Sequence, residues 1–138
     1  MKAEPASYPD KPLFAILYSI ALYELMDHSQ EQKNEYAILG KLEDPGYPDR
    51  PFKVGMADFL KKTSRAKPDK RAARRAVERI RKFLPLSGVV NGVEYPALSY
   101  ADYDEKQNTL TFASPYINKV IMEIARTNAS RGQEAGNR

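Results

Sequence analysis

Eleven of the chain's 22 Lys and Arg residues fall between Lys61 and Lys82, in the run KKTSRAKPDKRAARRAVERIRK. Only Asp69 and Glu78 oppose them, so this stretch carries +9 while the other 116 residues carry −5. Guanidinium and ammonium groups at that density attract polyanions, of which nucleic acid is the commonest. A solvated cationic helix face with no partner is the plain alternative. Arginine adds a narrower chemistry, because its planar fork pairs bidentately with guanine in the major groove. Lys70, Arg71, Arg74 and Arg75 are the base-reading candidates. Lys61, Lys62, Arg65 and Lys67 precede them, and Arg79, Arg81 and Lys82 follow; these seven are the candidates for phosphate contact.

Other chemistries find little support. His28 is the only histidine, near the end of a predicted helix, where the C-terminal dipole accounts for it better than catalysis does. One histidine excludes a two-histidine metal site, and the absence of cysteine excludes thiolate ligands, disulfides and cysteine nucleophiles. The nine tyrosines then read as core and surface aromatics. No phosphate-binding loop of the GxxxxGK[ST] type occurs. Paired acids (Glu43-Asp44 and Asp102, Asp104, Glu105) fall in turn-like contexts rather than in a metal-ligand spacing. No enzyme activity, cofactor or metal is expected.

The elements that must position the basic residues follow from apolar spacing. Residues 1–12, with three prolines, read as a flexible arm. Leu13, Phe14, Ile16, Leu17, Ile20, Ala21 and Leu25 recur at helical spacing and predict a buried helix over about 12–28. Tyr36 to Leu39 reads as a short strand, residues 43–51 as a turn-rich loop, and Phe52 to Val54 as a returning strand. Met56, Phe59 and Leu60 share one face of a short helix ending near Thr63. After a turn, Pro68 opens the basic helix. Ala73, Ala76, Val77, Ile80 and Leu84 form its apolar stripe, and the cations occupy the remainder. Asn91-Gly92 between valines predicts a two-residue hairpin. A second hairpin runs from Leu98 to Phe112 through Asp104 to Asn108, and Ser114-Pro115 caps a last helix to about Arg126. Residues 127–138 read as a disordered tail or a linker to a further domain.

A chain of 138 residues with 42% hydrophobic content can bury one core. The apolar stretch from Leu13 to Leu25 is too short and too polar to span a bilayer, so no membrane partner is expected, and the lack of cysteine suits a reducing cytoplasm. The expected class is α+β. A short helix, a turn, a basic helix and then a hairpin form a winged helix-turn-helix over residues 13–126, with the basic helix as the reader of the major groove. The acids Asp104 and Glu105 at the proposed wing would repel phosphate, with Lys106 alone to offset them.

The segment Tyr100 to Ile117 (YADYDEKQNTLTFASPYI) is similar to a hairpin and helix start of the replication initiator (Rep) family of iteron-type plasmids. The likeness lies in a Tyr-Asp-acid-basic turn, a strand ending in Phe112, and Ser114-Pro115 opening a helix. Phe52 to Leu60 resembles the family's strand and short helix, and Arg71 to Leu84 its amphipathic basic helix. The resemblance covers residues 13 to 126 and is to the first of the family's usual two winged helices, with one present here. It implies binding of repeated origin sequences in double-stranded DNA, a homodimer, and recruitment of host replication proteins. The readings that compete with an origin binder are a transcriptional repressor of the same fold and a protein-interaction or dimerisation module whose basic helix docks on an acidic partner.

Overall fold

A computed structural model describes residues 8, 10–29, 39–40, 42–44, 46–63 and 69–136. Helix α1 (Lys11–Ser29) starts at Asp10, whose carboxylate accepts the Leu13 N–H at 3.3 Å. Pro12 lies in its first turn, where no intrahelical N–H is needed. Leu13, Phe14, Leu17, Ile20 and Ala21 of α1 are buried and form one wall of the core. The arm before α1 is not free at the residues described. Tyr8 is buried, with its ring 4.8 Å from Phe14 and 5.6 Å from Phe83. Of the strand expected at 36–39, residues 36–38 lie outside those described, and Leu39 is helical rather than extended.

A single 3-10 turn, Tyr47–Asp49, precedes β1 (Phe52–Gly55), which runs without a loop into α2 (Met56–Thr63). Met56, Phe59 and Leu60 are the buried face of α2, as their spacing predicts. Helix α3 (Lys70–Arg81) is capped by Asp69, which accepts the Ala72 N–H at 2.8 Å. Ala73, Ala76, Val77 and Ile80 pack inward. The stripe does not continue to Leu84, which is 42% exposed; Phe83 is buried in its place. Successive i to i+3 hydrogen bonds, Phe83 to Ile80 at 3.0 Å and Leu84 to Arg81 at 3.1 Å, tighten the chain beyond Arg81. At three residues per turn, the third residue after Ile80 returns to the core, not the fourth.

Strands β2 (Ser87–Val90) and β3 (Val93–Pro96) form the first hairpin, and β4 (Tyr100–Asp104) and β5 (Thr109–Ala113) the second. Asn91 and Gly92 both have positive φ, 51° and 79°, the requirement of the tight turn that Asn-Gly favours. The second hairpin joins β1 in an antiparallel sheet of order β1-β5-β4, pairing Phe52 with Phe112. The first hairpin is a separate two-stranded sheet. It lies so close to the last helix, α4 (Pro115–Gly136), that a Cβ at Gly88 would fall 2.4 Å from the Tyr116 ring.

Ser114 caps α4 by accepting the Ile117 N–H at 3.2 Å while its hydroxyl donates to Ala97 O at 2.6 Å. Buried Asn118 donates to Tyr47 O at 2.9 Å and so ties the 3-10 turn to α4. The helix continues to Gly136, past the end expected near Arg126, so the supposed tail is helical as far as Gly136. The architecture is mixed α+β, four α-helices with small antiparallel sheets among the described residues. No helix described is long and apolar enough to cross a membrane.

Candidate nucleic-acid interface

On a helix turning 100° per residue, Arg71, Arg75 and Lys82 stand opposite the buried Ala73, Ala76, Val77 and Ile80. All three are exposed, and among the described residues no ion pair engages them. Glu78 lies on the same outward ridge, and exposed Lys70 flanks it near the N-terminus of α3. The ridge is therefore three cations and one carboxylate, spaced i, i+4, i+7 and i+11. A groove-bound helix presents its outer side chains at such intervals.

The flanks of α3 hold it in place. On one side Arg79 donates from Nε and Nη2 to the same oxygen of Asp10, at 3.0 and 2.7 Å. On the other side Arg81 donates from Nε and Nη2 to Ala101 O on β4, at 3.1 and 3.0 Å, with Asp102 3.7 Å away. Arg74, on that same side, reaches Glu105 at 3.4 Å. These three arginines have protein partners: Arg79 ties α3 to the start of α1, Arg81 ties it to β4, and Arg74 is shared with the β4–β5 turn. That last pair is exposed on both sides and weak, worth about 0–1 kcal/mol.

The acids at the β4–β5 turn have local work. Asp104 accepts the Lys106 and Gln107 N–H groups at 3.0 and 3.2 Å, which shapes the turn. Glu105 faces Arg74.

Lys61 and Lys62, at the end of α2, line a groove with α1 and β1. Lys62 Nζ lies 5.6 Å from the Tyr23 ring centroid. Arg65, Lys67 and the His28 side chain lie outside the described residues. Sequence reading missed Asp10 as the partner of Arg79, and Lys53 and Tyr23 as members of the groove. Pro12 signalled the helix start but neither the Asp10 cap nor the ion pair, because only folding brings residue 10 to residue 79. No group of His, Cys, Asp or Glu side chains among the described residues is placed to hold a metal ion.

Comparison with protein-family models, with curated proteins and with solved structures finds no match to this chain.

Proposed function

We propose that the chain is a winged helix-turn-helix domain that binds duplex DNA through α3, as in an origin-binding domain of a plasmid-type replication initiator, and that it acts without bond chemistry. The observation that carries this reading is the outward ridge of Arg71, Arg75 and Lys82 on a helix clamped at both flanks. A clamped helix keeps its outer side chains in register, so that base contacts need no further ordering of the backbone. The Arg74–Glu105 contact, which brings the β4–β5 turn beside α3, supports the same reading, with that turn taken as the wing. Arg71 and Arg75 are the base-reading residues; Lys70 and Lys82 meet phosphates, and Arg74 joins them when DNA displaces Glu105.

The test is fluorescence anisotropy with labelled duplexes, including direct repeats from the element that encodes the chain. Replacing Arg71 and Arg75 together by Ala is expected to weaken repeat binding by tenfold or more, because a bidentate Arg–guanine pair contributes ~1–3 kcal/mol. Unchanged binding in the double variant would remove α3 as the reading helix. Initiator and repressor would share this face, and loss of plasmid replication against loss of repression in the same variant distinguishes them.

A further inference from the structure

The groove between α1, β1 and α2 is a second cationic surface, apart from the α3 ridge. Ile20 and Val54 are among the apolar lining of this open groove. Lys53 of β1 and Lys61 and Lys62 of α2 supply its positive charge. Two carboxylates share the lining, and each has an inward or local role. Glu24 has one buried carboxylate oxygen. Asp58 belongs to the first turn of α2, where helix N–H groups favour a negative charge. The balance of the lining is cationic.

Tyr23 is the feature that separates this groove from an ordinary lysine patch. It is 69% exposed on a helix whose other large apolar side chains are buried or half-buried where described. Lys62 approaches its ring, and at this exposure much of the aromatic surface remains open. An open aromatic ring beside three ammonium groups is the pairing that holds unpaired nucleotides: the ring takes a base face and the cations take the neighbouring phosphates. A base within a duplex offers no free face, so this chemistry selects a single strand.

We propose that the α1–β1–α2 groove binds single-stranded nucleic acid, with one base stacked on Tyr23 and flanking phosphates on Lys53, Lys61 and Lys62. The site goes beyond the duplex reading of α3 and stands or falls separately from it.

The probe is a labelled oligothymidylate of about a dozen nucleotides, a length within the range covered by known single-strand grooves. It is titrated with the full chain at ~50 mM salt, where phosphate contacts are strong. The wild type is expected to bind. Tyr23→Ala is expected to weaken binding about fivefold or more, the loss of one base stack. Tyr23→Trp is expected to keep the affinity; as the sole tryptophan of a chain that has none, its fluorescence should also be quenched by the oligomer. Because Tyr23 is exposed, both variants are expected to retain the wild-type circular dichroism. Absence of oligomer binding by the wild type, or equal binding by Tyr23→Ala, overturns the proposal. So does an oligomer affinity lost in the Arg71→Ala, Arg75→Ala double variant and kept in Tyr23→Ala, which would place the strand on α3. Loss of duplex binding alone in that double variant leaves the groove assignment supported.

Discussion

Tyr47 is fully buried, and its hydroxyl has no hydrogen-bond partner among the described residues. Burial pushes its phenol well above the usual value, with Glu24 adding to the rise and Arg50 opposing it. The sign of the pH effect follows. Below about pH 10 the phenol is neutral in both folded and unfolded chains and titration contributes nothing. Above that, the unfolded chain loses its proton first, and stability falls. Tyr47→Phe is therefore expected to be as stable as the wild type or more stable at pH 7, since an unpartnered buried hydroxyl costs about 1–3 kcal/mol. The variant should also lose part of the alkaline decline. Urea midpoints at pH 7 and above pH 10 test both points; a lower midpoint at pH 7 would mean that the hydroxyl is satisfied. Asp10 offers the opposite case, one carboxylate with two tasks. It caps α1 and it holds Arg79. Asp10→Ala is expected to cost ~1–2 kcal/mol, mostly from the cap, because Arg79 is partly exposed and its ion pair is screened. Asp10→Asn keeps a capping oxygen and loses the charge, and its denaturation midpoint should fall between those of Asp10→Ala and the wild type.

At the scale of elements, local pattern and long-range contact divide what could be read in advance. The stripe Ala73, Ala76, Val77 and Ile80, the Asn91-Gly92 turn and the Ser114-Pro115 cap all express interactions within a few residues, and all three were legible. Leu84 misled because helical spacing was carried through a stretch where the hydrogen bonding shortens to i, i+3. The roles of Arg74, Arg79 and Arg81 were not legible, because their partners lie 31, 69 and 20 residues away along the chain. Composition marked α3 as the cationic helix, and folding decided which cations remain outward. The same limit applies to the first hairpin: its turn was predictable and its seat against α4 was not. Gly88→Ala tests that seat. The added methyl would meet the Tyr116 ring at 2.4 Å, so either the hairpin or an aromatic packed 6.0 Å from Phe14 must shift. Overpacking of this kind costs about 1–3 kcal/mol. The effect should shrink when Tyr116→Leu is combined with it, read as a coupling in a double-mutant cycle by chemical denaturation. Full additivity would mean that the hairpin yields without pressing on the helix.

Across the whole molecule, the charge is arranged as a dipole rather than a uniform excess. The net +4 combines +9 between residues 61 and 82 with −5 elsewhere. The pairing of Arg74, Arg79 and Arg81 reduces the cations that can release counterions, leaving Lys70, Arg71, Arg75 and Lys82 on α3 as the principal set. Salt dependence counts such cations, since log affinity for duplex falls against log salt with a slope of about −0.9 per phosphate neutralised. On non-specific duplex, which offers Arg71 and Arg75 no guanine in register, these two would turn to phosphates beside Lys70 and Lys82. Four contacts predict a slope near −3.6 and an affinity loss of roughly a hundredfold between ~50 and 200 mM salt. Had all eleven basic residues of the stretch engaged phosphate, the slope would approach −10. Arg71→Ala with Arg75→Ala should lower its magnitude by about two, whereas Arg79→Ala should leave it nearly unchanged while reducing stability. Glu105→Gln should raise it by up to one, because Arg74 is then released from its acid. A slope near zero in the wild type would instead remove α3 from duplex contact and leave the two other readings of its charge, docking on an acidic protein or a solvated face.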